Sequence, residues 1–300
     1  MRIPSDADHE PETGACASRA IDAAVGRASI EVWAGIYDSL TALQAQRLGY
    51  DGLWLSSLGL STGRLGLPDA GFLQPATVIT AIEEIGRVTD TPIHVDFENG
   101  YGLQGSDLAD LADRFFVAGS RALCMEDSVG AKRNSLWTGT RRDLATIDDM
   151  TQRLHRLVEV AQRHGGIMMA RTEALIEGLS IDETVERVHR YASTGCEYVV
   201  VHFRRDVEDA LEVARKAATA DVKLVIIPTA APPVTFETVS AAGFDVYVAA
   251  NVAVRAAMSA IERGLESVLK MGHQAAALEG VASLADLDSI VRTDILVPRS

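Results

Sequence analysis

From residue 29 onward, short apolar runs rich in β-branched residues alternate with stretches whose apolar positions recur every three or four residues. Eight runs read as strands: "IEVWAGIYD", "GLWLSS", "PIHVDFEN", "RALCMED", "GIMMARTE", "YVVVHF", "KLVIIPT" and "VYVAAN". Between them, "PATVITAIEEIGRVTD", "DLADLADRFFVAG", "IDDMTQRLHRLVEVAQRHG", "SIDETVERVHRYASTG" and "DVEDALEVARKAA" carry the spacing of helices with one buried stripe. Strand followed by helix, eight times over, predicts an α/β protein with a parallel sheet closed into a (β/α)8 TIM-type barrel. The expected organisation is an acidic, poorly patterned flexible arm over residues 1–25, then a single barrel domain over residues 26–300. Beyond Asn251, "VRAAMSAIERGLESVLKMG" and "SLADLDSIV" supply more amphipathic helix than barrel closure needs. An extension of that kind often packs on another subunit.

Each apolar run finishes polar. The endings are Asp38, Ser56 with Ser57, Asp96 with Glu98, Glu126 with Asp127, Arg171 with Glu173, His202, Thr229 and Asn251. One polar strand end means nothing, but enzymes on this barrel place their chemistry at the C-terminal strand ends, and here acids, an arginine and a histidine converge on one mouth.

Composition narrows the partners. A formal charge of −14 opposes a polyanion, and no lysine- or arginine-rich block offsets it, so nucleic acid is not expected as a partner. No apolar stretch approaches the roughly 20 residues of a membrane span, and the N-terminus lacks the apolar centre of a secretory signal. The expectation is a cytoplasmic protein. Cys16, Cys124 and Cys196 are widely spaced and form no C-x-x-C, which reads as reduced thiols.

Asp96 and Glu98, two apart on one expected strand, would leave the same face, and Glu126 ends the next strand. Carboxylates converging with no lysine among them call for a cation, and an oxygen-only set points to Mg²⁺ or Mn²⁺. Each acid could equally cap a helix or pair with Arg171. Arg171, after four apolar residues, could pair with Glu173 or Glu126, clamp an anionic substrate, or do both. His202 alone reads either as a hydrogen-bonded core histidine or as an acid/base. Asp69 lies in the glycine-rich "GRLGLPDAGF", long enough to reach over the mouth, although a turn aspartate after proline is ordinarily turn chemistry. Just before it, the backbone around Trp54, Ser56, Ser57 and Leu58 could hold an oxyanion.

"GLWLSSLGLS", "LGLPD", "VDFENGYG", "CMEDSVGAKRNSLW", "ARTEALIEG", "VVHFRR" and "IIPT" resemble, in order and spacing, the phosphoenolpyruvate mutase/isocitrate lyase superfamily over about residues 29–270. The mutase branch carries E-D-K, five residues, then N-S. Glu126, Asp127 and Ser128 are followed by "VGAKR" and then Asn134 and Ser135, so all but the lysine match. Carbon-carbon lyases of the superfamily carry K-[KR]-C-G-H on this loop, whose cysteine is their acid/base; Lys132, Arg133, Asn134 and Ser135 stand here without a thiol. The resemblance implies Mg²⁺ on Asp96, Glu98 and Glu126, directly or through water. It implies a pyruvyl group cradled by Trp54, Ser56, Ser57 and Leu58, and Asp69 beside the metal. Arg171, His202 and Asn134 would steer a phosphoryl group, with Lys132 and Ser135 on the same closing loop. The resemblance further implies a homodimer or homotetramer whose extended C-terminal helices are swapped between subunits. The implied activity interconverts phosphoenolpyruvate and phosphonopyruvate; the alternatives are a phosphonopyruvate hydrolase, a carbon-carbon lyase or hydrolase acting on a 2-oxo or 2-hydroxy diacid, and a non-catalytic binder. Departures from the family pattern are Glu98 and Asn99 within D-A-D-T-G-Y-G, Ser128 for lysine, Phe203 after the histidine, and the unadorned "PTAAPPVT".

Overall fold

The structure, a computed structural model, describes residues 30–291 apart from 136, 138, 140, 218–220, 230, 231 and 279. The arm expected over residues 1–25 lies outside the described residues. Eight strands alternate with eight helices: β1 (Glu31–Ile36), α1 (Ser39–Arg47), β2 (Gly52–Leu55), α2 (Pro75–Gly86), β3 (Ile93–Asp96), α3 (Gly105–Val117), β4 (Ala122–Glu126), α4 (Ile147–Arg163), β5 (Ile167–Thr172), α5 (Ile181–Ala192), β6 (Tyr198–Val201), α6 (Val207–Ala217), β7 (Lys223–Ile226), α7 (Phe236–Ala241), β8 (Val246–Ala249) and α8 (Val252–Met271). A last helix, α9, spans Leu284–Ile290. All neighbouring strands pair in parallel, and β8 returns to β1, closing the (β/α)8 barrel that the alternation predicts.

Local chemistry sets the boundaries. Asp38, Thr146, Ser180, Thr235 and Ser283 each accept an N–H from the third residue of the helix they precede, satisfying donors the helix cannot. Asp38 is therefore the cap of α1, in a capping box with Thr41, and does not join the acids at the mouth. The helix-facing sides of the strands pack Val32, Leu53, Val95, Leu123, Val199 and Ile226 against the apolar stripes of the helices. The barrel interior holds Trp33, Trp54, Cys124, Met169, Tyr198, Val200 and Val248. Trp33 stacks on His94 with ring centroids 3.8 Å apart, and Gly52 makes room for them: a Cβ there would fall 2.7 Å from both rings. Large rings fill the barrel's lower half, so the polar side chains are left to its upper, C-terminal end.

Only Val254 of α8 is buried, and Met258, Ile261, Leu265 and Leu269 along it are exposed. Among the described residues no helix is long and apolar enough to cross a membrane.

Candidate active site

The strand ends converge on a pocket of about 60 Å³ at the barrel mouth. Trp54, Ser56, Ser57 and Leu58 enter it from β2, Asp69 from the loop before α2, Asp96 from β3, Arg171 from β5, and His202 from just beyond β6. Lys132, Asn134 and Ser135 come down from the 128–144 loop. Ile227, Thr229, Ala250 and Asn251 complete the wall, with Asn251 Nδ2 3.4 Å from the Thr229 hydroxyl.

Ser56 turns the chain at the end of β2, its hydroxyl accepting the Gly59 N–H, so that Ser57 and Leu58 open a helical turn over the pocket. Ser57 donates its hydroxyl to Asp96 at 2.9 Å. The described residues of the 128–144 loop lie over the pocket as a lid. A bridge joins Ser128 to Leu144 at its base, Asn99 Nδ2 donates to the Gly130 carbonyl, and Arg204 Nε donates to the Ser135 carbonyl. At the lid's inner face, Asn134 Nδ2 lies 3.3 Å from Asp69 Oδ2.

Two features of the acids differ from the sequence reading. Glu98 is not on a strand: β3 ends at Asp96, and Glu98 sits in the following turn at φ +51°, so the two-residue spacing does not put both carboxylates on one face. Nor are the acids free of lysine. Lys132 Nζ stands 3.3 Å from Glu126, and Arg171 pairs with Asp96 at 3.1 Å, with Glu173 at 2.8 Å and, in its closest contact, with Glu126. Glu126 is fully buried beneath the pocket and also receives the Ser128 hydroxyl and Arg142. The local pairings weighed for Arg171 are thus all made, and its guanidinium still lines the pocket.

Burial works to raise the Asp96 carboxyl, but Arg171, Lys132 and Ser57 outweigh it and hold it below the usual carboxylate range. Glu173 is held well below that range: burial opposes, while His202, Arg171 and Arg142 prevail. Burial pushes Asp69 up, and pushes Glu98 up to about 7, where Asp96 and Asp69 add to the rise and Lys132 opposes it. One oxygen of each, Asp69 Oδ1 and Glu98 Oε1, is buried without a hydrogen-bond partner.

Those orphaned oxygens bear on a metal. Among the described residues no three His, Cys, Asp or Glu side chains are disposed as a ready ligand set. Mg²⁺ needs no such set, because it keeps several waters and takes one or two carboxylates. Asp96 with Asp69 and Glu98 beside it offers hard oxygen donors, two of them unsatisfied. The residues fit a hydrated divalent cation, while Glu126 is committed to Arg171 and Lys132.

Sequence reasoning missed Arg142 at the lid's returning foot. Its guanidinium donates to Glu173 at 2.6 Å and Glu177 at 3.0 Å and lies 3.5 Å from Glu126. Glu173 in turn accepts from His202 Nδ1 at 2.8 Å, so lid, arginine and histidine meet on one buried carboxylate. A basic pair in a loop, "TRRD", carries no periodicity that would mark burial.

The family model described as phosphoenolpyruvate phosphomutase matches residues 25–269. The chain belongs to this family. Its members and relatives differ in reaction. Phosphonopyruvate hydrolase of Variovorax sp. (strain Pal2) is 27% identical over 276 residues, 90% of this chain and 94% of the relative. A solved phosphonopyruvate hydrolase in complex with oxalate and Mg²⁺ superposes with a TM-score of 0.78 at 22% identity, covering 91% of this chain and 94% of that one. The 2-methylisocitrate lyase of Escherichia coli (strain K12) is 36% identical over 166 residues, 54% of each chain. The crystal structure of phosphoenolpyruvate phosphomutase from Streptomyces platensis subsp. rosaceus superposes with a TM-score of 0.82 at 28% identity, covering 92% and 94%. The chain is thus one of an enzyme superfamily of mutases, hydrolases and lyases.

Proposed function

We propose that this protein is a Mg²⁺-dependent phosphoenolpyruvate mutase-like enzyme that interconverts phosphonopyruvate and phosphoenolpyruvate. The observation that carries the reading is the lid. Asn134 and Lys132 come down beside Arg171 and His202, giving a small pocket a cationic, hydrogen-bonding wall that adjoins Asp96, which Arg171 pairs at 3.1 Å. Such a wall suits a phosphoryl group, whose transfer asks for positioning and charge neutralisation more than covalent chemistry. Asp96, with Asp69 and Glu98 beside it, would hold Mg²⁺; when bound, the ion would neutralise the substrate's carboxylate and carbonyl oxygens and steady enolate charge.

Breaking the carbon-phosphorus bond of phosphonopyruvate leaves its electron pair on C3, as the pyruvate enolate. Capture of the phosphoryl group by the enolate oxygen gives phosphoenolpyruvate, with no proton or oxidant required. In this chain Ser57 and Leu58 face the carboxylate end, Arg171 and His202 bind phosphoryl oxygens, and Asn134 steers the group between its two acceptors. Glu173 orients both Arg171 and His202. Water kept from that transit by the lid would leave the enolate oxygen as the acceptor.

One observation favours hydrolysis as a second reading. A chamber of about 420 Å³ adjoins the site across Lys132 and Glu98 and could supply water as the acceptor. A carbon-carbon lyase is less well supported, since Asn134 stands where that branch carries its cysteine. Phosphonopyruvate, oxaloacetate and 2-methylisocitrate offered separately with Mg²⁺ test the reading. Consumption of phosphonopyruvate alone is expected, and carbon-carbon cleavage of oxaloacetate or 2-methylisocitrate alone would overturn it.

A further inference from the structure

The two feet of the lid meet over one buried arginine. Asp127 opens the lid directly after β4, and Ala145 closes it just before α4. Their backbones are tied by Ala145 N–H to the Asp127 carbonyl at 2.8 Å and Val129 N–H to the Asp143 carbonyl at 2.9 Å. Beneath them, Nη1 of Arg187 on α5 donates to the Asp127 carboxylate at 3.1 Å and to the Ala145 carbonyl at 3.1 Å, one contact on each foot. The Tyr191 hydroxyl donates to the same Asp127 oxygen at 2.8 Å, and Arg187 also reaches that hydroxyl at 2.9 Å. The other Asp127 oxygen accepts the Glu173 N–H at 2.8 Å. Asp127 is fully buried and Arg187 is 6% exposed.

We propose that Arg187, which touches no part of the pocket, is a positioning residue that fixes both feet of the lid to α5 and, through Asp127, sets the placement of Glu173 under Arg171 and His202. Its effect on the lid stands on this geometry alone; its effect on turnover rests on the phosphoryl-transfer reading. A planar guanidinium suits the role, because it can hold a carboxylate and a carbonyl in one fixed arrangement, whereas a lysine offers a mobile point charge. An ordinary core arginine would stabilise the fold without favouring one lid state. An arginine bonded to both lid ends biases the lid itself.

The test is hydrogen exchange of the full chain, followed on peptides covering residues 127–129 and 143–146, in wild type, Arg187→Lys and Arg187→Met. The foot amides are expected to exchange about tenfold faster or more in Arg187→Met, while peptides from β1 and β2 keep wild-type rates. With phosphonopyruvate, kcat should fall about tenfold with a smaller change in KM, because lid closure and not encounter is impaired; Arg187→Lys should recover part of both. Wild-type exchange at the feet of a folded Arg187→Met protein would overturn the proposal, as would faster exchange spread evenly over the barrel. Should that variant fail to fold, the paired Asp127→Asn, Arg187→Met protein leaves no lone buried charge, and the same two outcomes decide. If wild type itself ignores phosphonopyruvate, the functional reading falls while the exchange result still judges the clamp.

Discussion

Replacing Arg142 by methionine keeps most of its bulk and removes its charge, so it isolates what the guanidinium contributes at the lid's foot. Taking one partner from a buried ion pair costs about 3–5 kcal/mol when the other charge is left alone. None is left wholly alone here. Glu173 keeps Arg171 and His202, Glu126 keeps Arg171 and Lys132, and Glu177 keeps the backbone N–H of residue 142 at 2.9 Å. The loss should therefore fall to about 2–3 kcal/mol, in line with about 1.5–3 kcal/mol for a hydrogen bond to a charged group. Urea unfolding reads it as a lower midpoint at unchanged slope, and heating as a Tm lower by about 3–5 °C for a chain of this length. Arg142→Lys should regain less than half, since a point charge can meet one of the carboxylates but not the fork of them. A loss below about 0.5 kcal/mol would refute the reasoning, because it would mean the remaining cations already neutralise all of these acids.

Asn134→Ala should lower phosphoryl-transfer kcat by about tenfold to a hundredfold, the cost of a misplaced transferring group, and a fully active variant would remove Asn134 from the mechanism. Chelation with EDTA should abolish turnover, and Mg²⁺ at about 100 times its Kd should stabilise the fold by about 2.7 kcal/mol; unchanged melting and activity would remove the metal from the account. The exposed apolar side of α8 is expected to seat on a second copy of this chain. Leu265→Glu with Leu269→Glu should then convert a dimer or tetramer to monomer by light scattering, and a wild type already monomeric would contradict this.

The barrel was legible because each strand is a short apolar run and each helix a three-and-four stripe, two periods that one sequence segment cannot satisfy at once. The strand ends were legible for the same reason: polarity begins where burial stops, and Asp96, Arg171 and His202 line the pocket at those ends, whereas Asp38 caps a helix. Glu98 was misread because alternation continues through "DFEN" although the strand has ended; the Asn99-Gly100 pair directly after it is a turn signal that outranks the alternation. Lys132 was legible as a loop residue but not as the partner of Glu126, since an irregular loop has no period to show which way its side chains turn. Arg187 left a trace that can be read: Thr184, Arg187, Val188 and Tyr191 form the buried stripe of α5, and an arginine on such a stripe must find a buried acid. Arg142 left none.

The most direct test of the central claim is a ³¹P NMR time course of the purified protein with Mg²⁺ and phosphonopyruvate. A falling phosphonate resonance and a rising phosphoenolpyruvate resonance, without inorganic phosphate, is the predicted result. Inorganic phosphate alone would replace the mutase with the hydrolase, and an unchanged phosphonate signal would contradict phosphoryl transfer at this site altogether.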